Sequence, residues 1–188
     1  MLIWENNEDI RLISCANNRR EIQRHLDECR EERRPYVFVT PTMREIVQVN
    51  RILVPVTMLE EEVYKAEICT YLARKTGAHL ILLKANDYGS HARQNINRIK
   101  THIESVAAKI GSPISYEIQE AKKDSFSLYK EAVERQRETG HQLLILTASR
   151  EYGLDDILFG PPERRAIQHS QVPVMLVNPR ADLFSLCD

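Results

Sequence analysis

The sequence predicts an α/β protein: a doubly wound, parallel, five-stranded sheet of Rossmann-like type, with an extra N-terminal β-α-β unit. Three observations predict it. Short apolar runs recur along the chain from residue 51 onwards, and stretches of helical periodicity separate them. Glycine closes three of those stretches, at Gly77, Gly111 and Gly140, where helices commonly end in a left-handed residue. Such alternation is the mark of βαβ units, whose crossovers are right-handed and leave the sheet covered on both faces.

Each element follows from its residues. In the first fifty positions, "IRLISC" reads as a strand, residues 18–34 as a helix with Ile22, Leu26 and Cys29 on one face, and "YVFVT" as a second strand. The core begins with "RILVPVT" (51–57), followed by a helix over 61–76 that carries Val63, Ala66, Ile68, Cys69, Leu72 and Ala73 at helical spacing. "HLILLKA" (79–85) is the next strand, and Ile96, Ile99, Ile103, Val106 and Ile110 mark a helix over 91–110. "ISYEIQE" (114–120) alternates apolar with polar residues, so it belongs nearer an edge with one wetter face. A helix over 125–139 starts after Asp124 or Ser125, either of which can cap it. "QLLILTA" (142–148), a helix over roughly 154–169 and "VPVMLVN" (172–178) complete the core. The core strands other than 114–120 are nearly continuous apolar runs, as strands buried on both faces must be.

This divides the chain into an extension over 1–50, a domain over 51–180 and a tail over 181–188. "LDECREERRPYVFVTPTMRE" (26–45) parallels "AVERQRETGHQLLILTASRE" (132–151): a charged helix end, a four-residue apolar strand, a Thr and a loop reaching Arg-Glu. Either every junction of helix and buried strand looks like this, or the N-terminal segment is the back part of a truncated second copy of the core.

Composition excludes several function classes. The chain has 188 residues with 26 basic and 27 acidic side chains, so it lacks the excess of positive charge that drives nucleic-acid binding. In the arginine-rich helix the acids interleave with the bases at pairing distances, which reads as a solvated face. No apolar run is long enough for a membrane span, and "MLIWENNEDI" lacks the pattern of a signal peptide, so a cytoplasmic protein is expected. Cys15, Cys29, Cys69 and Cys187 stand far apart, which suggests neither a zinc site nor a disulfide framework, and no metal is expected. The six histidines are scattered without metal-ligand spacing. No phosphate-loop, GxSxG or HExxH motif is present.

In an open parallel sheet, ligands bind beyond the carboxyl ends of the strands where the strand order reverses. Two loops flank that crevice: "VTMLEEEVY" after the 51–57 strand and "TASREYGLDDILFGPPE" after the 142–148 strand. "RILVPVT" together with "ILTASREYGLDDILFGPPERRAIQHSQVPVMLVNPR" (145–180) resembles the universal stress proteins, over roughly residues 51–180. That family opens on an "ILVPVDGS"-like strand and closes on a strand, a G-x2-G-x9-G-[ST] loop, a helix and a last apolar strand. The resemblance implies a five-stranded doubly wound sheet, dimerisation through the last strand and, in nucleotide-binding members, ATP held by the glycine motif.

Carried onto this chain, that motif is eroded. The Asp after the first strand is Thr57, and Met58 and Leu59 follow in place of Gly-Ser. The first two motif glycines fall on Thr147 and Arg150; Gly160 is kept but Pro161 follows it, and an extra loop glycine survives as Gly153. Glycine lets backbone N–H groups approach phosphate oxygens, which side chains at 147 and 150 oppose. Pro161 supplies neither N–H nor hydroxyl, and Glu60, Glu61 and Glu62 face the site with negative charge. Arg150 is the one countervailing cation, able to meet an anion in another geometry or to pair with Glu151 or Asp155 as an ordinary loop arginine. Asp155 and Asp156 are the loop acids a nucleotide hydrolase would need, and a helix start explains them equally well.

The expectation is therefore a non-catalytic stress-response module that does not bind ATP in the usual way and needs no cofactor, ATP and AMP both being disfavoured. The alternative is a nucleotide- or anion-sensing domain using Arg150 to Gly160. Val172, Val174 and Leu176 form the candidate dimer strand for a homodimer, and protein partners suit a binding module. The competing expectation is that the tail or the N-terminal unit covers that edge, extending the sheet or mimicking a partner.

Overall fold

The computed structural model describes Trp4, residues 7–149 and residues 160–179. Among these residues seven strands form one sheet: β1 (Arg11–Ser14), β2 (Tyr36–Val39), β3 (Arg51–Val56), β4 (His79–Lys84), β5 (Tyr116–Glu120), β6 (Leu143–Thr147) and β7 (Val174–Val177), in the order β1-β2-β7-β6-β3-β4-β5. The helices are α1 (Arg19–Glu28), α2 (Lys65–Thr76), α3 (His91–Ile110), α4 (Leu128–Glu134), α5 (Gln136–Thr139) and α6 (Pro162–His169). A 3-10 turn over Glu60–Tyr64 leads into α2.

The five strands from β7 to β5 are parallel and constitute the expected doubly wound core. Their alternate residues fill two apolar layers. Leu53, Ile81, Leu144 and Leu176 pack under α1, α4 and α6, whereas Ile52, Leu80, Ile145 and Met175 pack under α2 and α3. Gly77, Gly111 and Gly140 close their helices in the left-handed region, at φ of 71°, 65° and 58°. The expected 125–139 helix is broken at Arg135 into α4 and α5, and α1 is shorter than the 18–34 stretch. Asn18 caps α1 by accepting from the Glu21 N–H. The start of the expected 154–169 helix lies outside the described residues.

The N-terminal unit extends the sheet. β1 and β2 are parallel to each other, but β2 runs antiparallel to β7, with Tyr36 opposite Leu176, Val37 opposite Met175 and Phe38 opposite Val174. This corrects the expectation of a homodimer through the last strand. The edge carrying Val174 and Leu176 is already paired within the chain, and Val172, Val174 and Leu176 are 0% exposed, so no row of unpaired backbone groups remains there for a second copy. Cys15, Cys29 and Cys69 are buried and unpaired, and burial pushes the Cys69 thiol up to about 12; Cys187 lies outside the described residues. Among the described residues no helix is long and apolar enough to cross a membrane.

Candidate functional site

The strand order reverses between β6 and β3, and the crevice above their carboxyl ends is where a ligand would sit. The residues nearest it are engaged with one another. Thr57, just past β3 and 4% exposed, donates its N–H to Glu62 Oε2 at 3.2 Å. Its Oγ1 accepts from the Leu59 N–H, and its carbonyl accepts from Asn95 Nδ2 at 3.0 Å. Met58 donates its N–H to Ser125 Oγ at 2.8 Å, and Ser125 is in turn held by Asp87.

Glu62 does not line the crevice as an open charge. The 3-10 turn folds it inward, where it is 0% exposed and pairs with Lys65 Nζ at 2.6 Å, itself 0% exposed. Lys65 also donates to the Pro55 carbonyl. A buried pair with added hydrogen bonds offsets the desolvation of both ions, which neither could bear alone. Glu60 remains exposed.

On the β6 side, the hydroxyl of Tyr129 from α4 serves both backbone groups of Thr147. It accepts the Thr147 N–H at 3.2 Å and donates to the Thr147 carbonyl at 3.1 Å. A glycine at 147 could bring this N–H to a phosphate; here it is spent on a phenol. Burial first, and then the Glu62 and Glu163 carboxylates, push the Tyr129 phenol well above its ordinary value. The phenol is thus a fixed neutral donor flanked by two negative charges.

Ser149 closes the same end. Its N–H donates to Glu163 Oε1 at 3.0 Å and its hydroxyl to Oε2 at 2.9 Å. Glu163 is in the first turn of α6 and 1% exposed, where the helix dipole favours a carboxylate. Pro161 is the N-cap of α6 and Pro162 its first residue, so two of the N–H groups a bound anion would use at a helix start are missing. Gly160 sits at φ 81° beneath the Arg164 guanidinium; a Cβ there would stand 1.5 Å from Arg164 Nη2. The retained glycine therefore makes room for a protein side chain.

The structure thus brings Thr57, Met58, Thr147, Gly160 and Pro161 around one crevice, while Arg150, Gly153, Asp155 and Asp156 lie outside the described residues. Sequence reasoning missed Tyr129, Ser149, Lys65 and Glu163. Only Glu163 carried a signal: an acid placed just after two prolines, in the first turn of a predicted helix. Among the described residues no group of three His, Cys, Asp or Glu side chains could hold a metal ion. Beside the crevice, α4 and α6 border a cleft of about 540 Å³ in which Lys130, paired with Glu134 at 3.9 Å, Arg165 and His169 stand on an apolar wall that includes Val133 and Pro162.

Residues 48–178 match the model of the Universal stress protein family. Solved structures agree in fold. A universal stress protein from Archaeoglobus fulgidus is 15% identical with a TM-score of 0.60, the match covering 91% of this chain and 62% of that one. A universal stress protein in complex with cAMP is 15% identical with a TM-score of 0.52, over 71% of this chain and 99% of that one. A functionally unknown protein from Pseudomonas aeruginosa PAO1 is 15% identical with a TM-score of 0.52, over 89% of this chain and 63% of that one. The match thus spans less than two thirds of the Archaeoglobus and Pseudomonas chains. No curated protein matches the sequence.

Proposed function

The chain belongs to the universal stress protein family, and from that premise we propose that it works as a non-catalytic stress-response module that does not hold ATP in the family's usual way. One observation carries the reading: the strand-end N–H groups of Thr57 and Ser149, on the two sides of the crevice, already donate to the chain's own carboxylates, Glu62 and Glu163. A triphosphate would have to displace both carboxylates and remain beside them. A pair of like charges about 4 Å apart costs about 4 kcal/mol at an effective dielectric constant of about 20. With Glu62 neutralised by Lys65, Glu163 supplies one such pair, which offsets what millimolar affinity is worth, about 4 kcal/mol, and about half of micromolar affinity.

With its anion contacts replaced by internal ones, the domain offers surfaces rather than a reaction centre, and protein partners are the reading's natural ligands. Calorimetric titration with ATP, ADP and AMP, with and without magnesium, tests it. The expected result is no heat of binding; saturable heat from ATP, lost on Gly160→Ala, would overturn it.

A second reading is a nucleotide- or anion-sensing domain working through the segment from Arg150 to Gly160. One observation favours it: a universal stress protein of the same fold was solved in complex with cAMP; the cleft between α4 and α6 carries Lys130, Arg165 and His169 but also Glu134, which pairs with Lys130 at 3.9 Å. A single phosphodiester brings one negative charge instead of several, so the repulsion falls accordingly. Titration with cAMP decides this reading, and heat abolished by Arg150→Ala would establish it.

A further inference from the structure

The antiparallel register of β2 with β7 carries an internal symmetry. Tyr36 lies opposite Leu176, Val37 opposite Met175 and Phe38 opposite Val174. If residues 36, 37 and 38 are taken as equivalent to 174, 175 and 176, each pair maps onto another pair, and Val37 with Met175 sits on the two-fold axis. This is the pattern of an isologous contact between two copies of one surface, here found within one chain.

The equivalence continues outwards. β1 pairs with β2 with Arg11 against Tyr36, Leu12 against Val37 and Ile13 against Phe38; β6 pairs with β7 with Leu144 against Val174, Ile145 against Met175 and Leu146 against Leu176. The flanking backbone bonds match as well. Arg11 N–H donates to the Pro35 carbonyl at 2.9 Å, as Leu144 N–H does to Pro173 at 3.1 Å; Cys15 N–H donates to Val39 and Ala148 N–H to Val177. Past the strands, Ala16 N–H donates to Glu21 of α1 at 2.8 Å and Ser149 N–H to Glu163 of α6 at 3.0 Å, so each strand end is held by a carboxylate of the following helix, although not at matching helix positions.

The residues agree with the geometry. "PYVFVTP" (35–41) stands against "PVMLVNP" (173–179), and Arg19-Arg20, Ile22 and Gln23 of α1 stand against Arg164-Arg165, Ile167 and Gln168 of α6. Ile22 and Ile167 are both 0% exposed in the same apolar layer. The helices pack together and are joined by Arg164 Nη1 donating to Gln23 Oε1 at 3.0 Å.

We propose that residues 10–41 are a second copy of the β6–α6–β7 unit, related to it by a pseudo-two-fold axis, and act as a resident half-partner that fills the edge through which two copies of this fold would otherwise pair. The copy has specialised for that post. Tyr36 donates its hydroxyl to Asn178 Oδ1 at 3.0 Å, and Asn178 Nδ2 donates to the carbonyls of Cys29 at 2.7 Å and Glu32 at 2.8 Å. The equivalents of Tyr36 and Asn178 are Val174 and Thr40, so a second copy's β7 offers no hydroxyl to Asn178. Among the described residues, the side chain of the buried Asn178 finds its partners in the chain's own N-terminal unit, and losing them would be costly.

The axis supplies the test, on the full chain with Cys187→Ser to remove the tail thiol. Met175→Cys alone places a cysteine on the axis, and Val37→Cys with Met175→Cys places two cysteines in opposed positions of neighbouring strands, within disulfide reach. Under mild oxidation the double variant is expected to form a disulfide within one chain, shown by peptide mapping and unchanged mass on a denaturing, non-reducing gel. Met175→Cys alone is expected to stay uncross-linked. Light scattering of the unsubstituted chain, which needs no variant to fold, is expected to give the 21.8 kDa monomer mass. A 175–175 cross-link between chains, or a 37–175 cross-link only between chains, overturns the proposal. A dimer mass whose double variant still closes within one chain supports it and places the dimer contact elsewhere.

Discussion

Removing Lys65 should expose the energetics of the crevice most sharply. Lys65 and Glu62 are both 0% exposed with Nζ 2.6 Å from Oε2. Glu62 Oε1 has no hydrogen-bond partner among the described residues, and Oε2 has otherwise only the Thr57 N–H. Coulomb attraction at that separation is about 6 kcal/mol for an effective dielectric constant of about 20. Part of it is recovered by the Thr57 contact and by relaxation, so Lys65→Met is expected to cost about 3–5 kcal/mol, the range for breaking one partner of a buried pair. That is a large share of the 5–15 kcal/mol typical of a domain of this kind. Glu62→Gln with Lys65→Met removes both charges and keeps an acceptor for the Thr57 N–H, and should cost only about 1–2 kcal/mol. Urea unfolding of the three proteins measures both, read as a fall in midpoint at constant slope. A single variant within about 1 kcal/mol of the parent, or a double variant as damaged as the single, would show that the pair is not the buried, mutually dependent ion pair described above.

Three further outcomes are expected. His141 is 1% exposed, and burial, helped by Arg44 and Arg51, pulls its pKa from 6.5 to about 4. Above pH 6.5 it is neutral folded and unfolded alike; as pH falls from there to about 4 the unfolded chain takes up a proton that the fold refuses. Stability should drop by up to about 3 kcal/mol over that window, and a His141→Asn chain whose urea midpoint falls just as steeply would refute the assignment. Gly160→Ala forces a Cβ to φ 81° and against the Arg164 guanidinium; thermal unfolding should show a loss of about 1–2 kcal/mol, and no loss would mean that the guanidinium is not packed there. Asn178→Ala removes the Asn178 contacts to the Tyr36 hydroxyl and to the Cys29 and Glu32 carbonyls. A cost of about 2–4 kcal/mol is expected from urea titration, and a neutral result would place those groups in contact with water.

The core was legible because its physics is local. Strands covered on both faces must be apolar along their buried stretch, as 143–146 and 80–83 are, and helices closed by Gly77, Gly111 and Gly140 announce their ends. The edge position of β5 was legible from its interspersed polar residues, and the strand has no fully buried residue, Ile118 itself being 43% exposed. Strand direction was not legible, because a short buried run such as "YVFV" reads the same whether its neighbour is parallel or antiparallel. Hence the sequence comparison set 36–40 beside 143–147, whereas the strand register sets 36–38 beside 174–176. In the crevice, the loss of glycine and of donors at Thr147 and Pro161 was readable residue by residue. What replaced them was not, since Tyr129 and Glu163 reach their partners from 18 and 14 residues away in the chain, and no local pattern records such a contact.

The most direct test of the filled crevice is a nucleotide titration of the isotope-labelled chain followed by NMR at the Thr57 and Ser149 amides. With Glu62 and Glu163 holding those protons, both resonances should stay in place as ATP and magnesium are raised to millimolar concentration. Saturable shifts at both amides, together with release of the Tyr129 hydroxyl from Thr147, would mean that phosphate can take the carboxylates' places and that the crevice still holds ATP.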